Sequence, residues 1–259
     1  MIRNKIKKAI DFYNDQYTGK AYAEGEFHGD ESSLVQSLLK ECGSRRPRIL
    51  EIGCGRGHLQ NVTEDYVGCD LSVVAGGYFK KPFVVGSAEN LPFQDESFDF
   101  VMSFTVLEHI IHPEMALSEM VRVLRKGGRL VVGAAWRVPP WRPLALEKRP
   151  FANLSILEKS LKLILPAINC LWTNGILRIP IRSLRELRFF FLKRLICLPF
   201  TRMNPNWEEF LIPDSDAASS IDNHACVLWL HSKGLYNNLA RRPLQRIFLR
   251  CGPVVMLKP

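Results

Sequence analysis

The run Arg48-Ile49-Leu50-Glu51-Ile52-Gly53-Cys54-Gly55-Arg56-Gly57-His58-Leu59 leaves few options for what this chain can fold into. Ile49, Leu50 and Ile52 read as a buried strand, the near-continuous apolar kind found in parallel sheets. It runs into three glycines spaced two apart, and a helix is expected to open after them. Without a Cβ the chain turns at positive φ, and a ligand can lie against bare backbone. A helix N-terminus behind the loop would add free N–H groups and a partial positive charge. Any tight strand-to-helix turn also favours glycine, so the spacing has to decide. A dinucleotide fingerprint needs G-x-G-x-x-G, which would put its last glycine where His58 stands. The pattern here is instead E-x-G-x-G-x-G, beginning at Glu51.

Further stretches follow in order. Tyr66-Val67-Gly68-Cys69-Asp70 is a short strand ending in an acid, and Phe83 to Gly86 is a third strand, leading into Ser87-Ala88-Glu89-Asn90-Leu91-Pro92-Phe93. The link from Asp70 to Phe83 is short for a crossover helix, so one or two turns or a loop are expected there. Ser97 to Phe104 is a fourth strand, followed by Val106-Leu107-Glu108-His109. Glu114 to Leu124 has helical spacing, closed by Arg125-Lys126-Gly127-Gly128, and Arg129 to Ala135 is a fifth strand. These motifs, dense over residues 47–135, resemble those of the class I S-adenosylmethionine-dependent methyltransferases, close to the quinone-biosynthesis and small-molecule branch.

The resemblance implies an α/β fold: a Rossmann-like, seven-stranded, mostly parallel sheet with helices on both faces, plus a helical insertion after strand five. It implies S-adenosyl-L-methionine as cofactor, faced by Glu51, Gly53, Cys54, Gly55, Gly57, Asp70, Leu71, Ser87, Ala88, Glu89 and Phe104. Asp70 alone would read as a helix N-cap; after this glycine loop its carboxylate is placed to accept both ribose hydroxyls of a nucleoside. Ser87 stands where the family commonly has Asp, which leaves Glu89 and the Ala88 N–H as the adenine contacts.

His109 and His112 follow strand four and are the candidate general bases, useful only if the acceptor is a hydroxyl or an acid. The competing reading has them cap the next helix or pack structurally. Glu108, His109 and His112 have metal-binding chemistry, but the second acid that would strengthen such a site is missing at Thr105, so no metal is assigned. His58 is expected to touch the cofactor or cap the helix, and His224 and His231 to be structural.

Three segments are expected. Residues 1–45 form an N-terminal helical segment covering the cofactor site, with a break at 19–29 and Tyr17, Tyr22 and Phe27 as its rings. Residues 46–135 and 213–259 form the core. Residues 136–212 form a basic, aromatic-rich insertion, either a lid or an acceptor-binding element. In the second part of the core, Ser219–Lys233 reads as a helix, Gly252–Leu257 as the terminal strand and Leu244–Leu249 as a strand pairing with it.

The formal charge is +9. Residues 136–212 hold 13 Lys and Arg against 5 Asp and Glu, a net of +8, so the remainder is nearly neutral. The stretch from Ile181 carries an apolar face (Leu184, Leu187, Phe191, Leu195) with arginines opposite, which suits either a membrane surface or a lid packed on the domain with its arginines solvated. Leu163 to Leu177 is the longest uncharged run, fifteen residues broken by Pro166 and Gly175, whereas a membrane span needs about 20 apolar residues. Seven scattered cysteines without C-x-x-C spacing point to free thiols in a reducing, cytoplasmic compartment. The basic start, MIRNKIKKAI, lacks the apolar run of a signal peptide.

The expected acceptor is a hydrophobic small molecule, lipid-linked or glycan-type, methylated at oxygen. Nucleic acid is disfavoured because Ser103-Phe104-Thr105-Val106 stands where base-methylating relatives carry D/N-P-P-Y/F. The alternatives are a non-catalytic cofactor-binding or peripheral membrane protein, or an RNA methyltransferase.

Overall fold

In the computed structural model the described residues are 2–19, 29–42, 46–173, 178–192, 197–207, 212–237 and 240–259. In chain order the elements are α1 (Ile2–Thr18), α2 (Gly29–Lys40), β1 (Ile49–Ile52), β2 (Tyr66–Asp70), β3 (Phe83–Val85), β4 (Phe98–Phe104), α3 (Pro113–Val123), β5 (Leu124–Gly133), α4 (Ile156–Thr173), α5 (Arg178–Leu192), β6 (Phe200–Arg202), β7 (Ser219–Ile221), α6 (Asn223–Ser232), α7 (Pro243–Ile247) and β8 (Val254–Leu257). Tyr22, Phe27 and Leu195 lie outside the described residues.

One sheet organises the molecule, in the order β3-β2-β1-β4-β5-β8. Its first five strands pair in parallel and β8 runs antiparallel to β5. β1 is fully buried between β2 and β4. Alternation along it divides the core. Leu50 and Ile52 join Leu117, Met120 and Trp229 under α3 and α6, whereas Ile49 joins Tyr66, Phe100 and Val35 under α2. The chain reverses its direction of winding between β1 and β4, and in such sheets ligands bind beyond the carboxyl ends of the strands at that switch point.

Several expectations are corrected. Among the described residues the sheet has six strands rather than seven. Leu244–Leu249 is not a strand: α7 starts at Pro243, a residue whose fixed φ suits the first helical position. The place beside β8 is taken by a single antiparallel bridge, Tyr236 to Leu257. No helix follows the glycine loop, and residues 53–65 return to the sheet through turns. Too little chain remains after the loop to build a helix and still reach β2. The helix in Ser219–Lys233 is confined to α6, because Ser219–Ile221 pairs with β6. α3 passes directly into β5, so Arg125 to Gly128 belong to the start of a strand rather than to a helix cap.

Within the insertion, buried charges rather than the apolar stripe hold the second helix against the protein. α5 turns its apolar face outward: Leu184, Leu187 and Phe191 are 60%, 54% and 72% exposed, while Arg182 on the other side is 2% exposed. Arg182 donates to Asp222 Oδ1 at 2.6 Å, to Asn223 Oδ1 at 2.7 Å and to the carbonyls of Ile247 and Leu249 at 2.9 and 2.8 Å. One turn on, Glu186 accepts two 2.7 Å bonds from Arg246, and His224 Nε2 lies 3.1 Å from it. These buried ion pairs fix the rotation of α5 about its axis, since any other rotation strands buried charges. His224 is thereby structural, as expected, and fully buried.

Candidate active site

A cavity of about 570 Å³ opens over the carboxyl ends of β1, β2 and β4, within the usual range for small-molecule sites. Gly53 forms its floor at the tip of β1, Asp70 and Leu71 the tip of β2, and Ser87, Ala88 and Glu89 the turn after β3. Thr105 and His109 after β4 reach it from the other side. The structure therefore brings seven of the sequence-predicted residues onto one wall system. Glu51, Cys54, Gly55, Gly57, Phe104 and His112 are not in that lining.

Each of those six has a structural partner or position. Glu51 lies 6% exposed beneath the loop and accepts a short hydrogen bond from the Tyr66 hydroxyl. Burial pushes its carboxyl up to about 8, against the lowering effect of that bond. Cys54 and Phe104 are buried in the core. His112 sits at the N-cap of α3, where its side chain makes no capping bond and its backbone N–H donates to Glu89 Oε1 at 2.9 Å. His58 is exposed on a turn and has no helix to cap.

The glycines act in two ways. Gly53 and Gly57 adopt φ of +68° and +73°, and a Cβ on Gly53 would come within 2.1 Å of Val106, one on Gly57 within 2.8 Å of Phe79. The chain's own side chains thus use the space those glycines free. Gly55, at φ +49°, instead turns its N–H to Asp70 Oδ2 at 2.9 Å, which ties the β1 loop to the β2 tip. Asp70 also accepts from the Ser72 N–H at 2.9 Å and from the Tyr17 hydroxyl at 3.3 Å. Burial raises its pKa, and these bonds work against that rise.

The cavity's outer wall comes from α1, through Ile6, Ala9, Phe12, Tyr13, Gln16 and Tyr17. Tyr17 belongs to the last turn of that helix rather than to the break. Ser72 Oγ donates to Asn14 Oδ1 at 2.6 Å, the Tyr78 hydroxyl to the Tyr17 carbonyl at 2.9 Å, and Arg56 to the Gly19 carbonyl at 3.0 Å. Such a strap is not visible in periodicity, which marks Tyr13 only as a helix residue.

Beside the same cavity, four groups from three parts of the chain meet. The Tyr13 hydroxyl donates to Asp216 Oδ2 at 2.8 Å, and that oxygen lies 3.1 Å from His109 Nδ1. Glu108 Oε1 lies 4.0 Å from His109 Nε2 and accepts from the Ala135 N–H at 2.9 Å. Burial alone would lower the pKa of His109. The charge of Asp216, with Glu108 beyond, more than offsets it and pushes His109 up to about 10. Asp216 itself is held below the ordinary carboxylate range despite burial, first by His109. Asp214 completes the group, raised by burial. Backbone strain is present here too: Thr105 and Asp214 line the cavity at φ of +53° and +60°, a region a β-branched residue rarely enters.

Glu108, His109 and Asp214 offer ligand atoms within 4.8 Å of one another. His112 is not among them, so the trio differs from the one the sequence raised. Asp214, Asp216, Tyr13 and Trp207 are cavity residues that sequence reading missed as site residues. The available signal was Asp214-Ser215-Asp216, two acids immediately after a strongly basic segment.

Residues 50–132 match a family described as a methyltransferase domain. The chain is 43% identical over 118 residues to a demethylmenaquinone methyltransferase of Beutenbergia cavernae, covering 42% of this chain and 49% of that one. It is 39% identical over 94 residues to a phthiotriol/phenolphthiotriol dimycocerosates methyltransferase of Mycobacterium tuberculosis, covering 31% of this chain and 35% of the other. The solved structure of YcgJ from Bacillus subtilis is similar at 28% identity over 42% of this chain and 52% of that chain, with a TM-score of 0.38. The chain spans about half the length, or less, of these relatives.

Proposed function

The chain carries a class I S-adenosylmethionine-dependent methyltransferase domain, and from that premise we propose that it methylates a hydroxyl of an apolar small-molecule or lipid-linked acceptor. The observation that carries this reading is a single cavity lined both by Asp70 and Gly53 and by Asp216 and His109, the latter two 3.1 Å apart. The residues fit the cofactor: the carboxylate at the β2 tip is buried and ordered by backbone N–H groups, and Gly53 at the tip of β1 lines the same cavity. Bound there, S-adenosylmethionine supplies a methyl group already activated on a sulfonium sulfur.

The chain's own part is to hold and align. Asp70 would hold the ribose hydroxyls, next to the Tyr17 hydroxyl that lies 3.3 Å from its Oδ2. Ser87, Ala88 and Glu89 face the base, and the tyrosines of α1 close the cavity against water. Alignment of this kind supplies roughly 7–11 kcal/mol of a barrier. His109 takes the acceptor's proton at Nε2, and the Asp216 carboxylate 3.1 Å from Nδ1 stabilises the positive charge that forms. A base near 10 is matched to a phenol-like or enol-like hydroxyl, whose pKa is also about 10. Ile110, Ile111, Trp207 and Pro213 give the acceptor end an apolar lining, and relatives named for demethylmenaquinone and for dimycocerosates support an acceptor of that kind.

Asp70→Ala is expected to weaken S-adenosylmethionine by about 2 kcal/mol, roughly thirtyfold, with the fold intact; equilibrium dialysis measures it, and unchanged affinity removes the ribose assignment. The acceptor class is tested by incubating the protein with methyl-labelled cofactor and cell extract. Label is expected in the organic-soluble fraction. Label in RNA would contradict the acceptor reading, and tight binding without any transfer would favour a non-catalytic cofactor-binding protein.

A further inference from the structure

α5 is an amphipathic helix whose polar side is used up inside the protein. Arg182 and Glu186 are sealed against Asp222, Asn223 and Arg246, which leaves Ile181, Leu184, Leu187 and Phe191 on the solvent side. α4 shows the same arrangement independently, with Ile156, Leu157, Leu163 and Ile164 exposed while Leu161 and Leu165 pack inward. Soluble surfaces rarely expose large apolar side chains in rows along a helix, and such rows mark a site of interaction. Neither helix is long and apolar enough to cross a membrane.

Charge identifies the partner. The segment carrying both helices has a net of +8. Lys148, Lys159, Arg188 and Arg202 form no ion pair among the described residues, and Arg188 stands exposed on the outer side of α5. A second copy of the chain would set one strongly basic segment against another, which like-charge repulsion opposes. Exposed apolar rows on helices that also carry the unpaired cations Lys159 and Arg188 suit a sheet of anionic headgroups over acyl chains. We propose that α4 and α5 dock the protein on an anionic phospholipid surface, lying in the interface with their apolar faces inserted. The proposal does not rest on the acceptor reading, because the surface binds lipid whether or not methyl transfer occurs.

The test is flotation of the full chain with phosphatidylcholine vesicles, with and without phosphatidylglycerol, at low and high salt. Binding is expected only with the anionic vesicles, and is expected to weaken at high salt. The triple variant Leu184→Gln, Leu187→Gln, Phe191→Gln changes only exposed side chains and should retain the wild-type circular dichroism while losing at least about tenfold in binding. If the wild type fails to float at low salt, or the variant floats equally well, the proposal is overturned. Sedimentation velocity adds a third outcome: a wild-type dimer that the variant dissociates would assign the face to a second copy and overturn it too.

Discussion

His109→Gln is expected to lower kcat toward a hydroxyl acceptor by about 10²–10⁴-fold, the usual range for loss of a positioned proton acceptor, while S-adenosylmethionine affinity stays near wild type. The sharper result lies in the pH profile. The Asp216 carboxylate and Glu108 hold His109 protonated up to about 10, so wild-type kcat/KM should climb with pH towards that value. Asp216→Asn removes the largest group that raises the pKa and leaves the burial that lowers it. The rising limb then moves to lower pH. A purely structural His109–Asp216 pair would lower activity at every pH without moving the limb, which separates the two roles. Linkage adds a stability signature. Because the folded pKa lies above the unfolded value of about 6.5, the pair stabilises fully below that pH, and its contribution is lost as pH rises through about 10. Thermal melts between those limits should show a decline that Asp216→Asn abolishes.

Glu186→Met is expected to destabilise the fold by about 3–5 kcal/mol, because it leaves the Arg246 guanidinium buried with no carboxylate. Arg246→Met leaves the Glu186 carboxylate in the same position, with only His224 beside it, and should cost about as much. The double variant should lose less than either alone, since no buried charge then stands unpaired. Urea unfolding of the four proteins measures this. Additive losses would mean that the network does not set the rotation of α5, and with it the outward turn of Leu184 and Phe191.

The sheet and the first half of the site were legible in the chain because local signals determine them. Ile49 to Ile52 could be read as a buried strand from its own residues, and the acids and glycines at strand ends have meaning within a few positions. Asp70, Ser87 and Glu89 reach the cavity for that reason. What escaped depends on residues far apart in sequence. Tyr13, His109 and Asp216 meet only because α1, the end of β4 and the return from the insertion converge, and no periodicity reports that convergence. The missing helix after Gly57 shows the opposite weakness: a familiar loop pattern suggested a successor that the short chain to Tyr66 has no room to form. At Leu244–Leu249 the short apolar run suggested a strand, and Pro243 was the helix-start signal that outweighed it. For α5, spacing identified the helix and its apolar stripe. Which side meets the protein was decided by Asp222, Asn223 and Arg246, and a helix's own pattern carries no information about those.

The central claim is that the cavity over β1, β2 and β4 binds S-adenosylmethionine. Calorimetric titration of the full chain tests it most directly: one saturable site is predicted for S-adenosylmethionine and for its demethylated product, each raising the melting temperature. No heat of binding and no shift in melting for either compound would contradict the account.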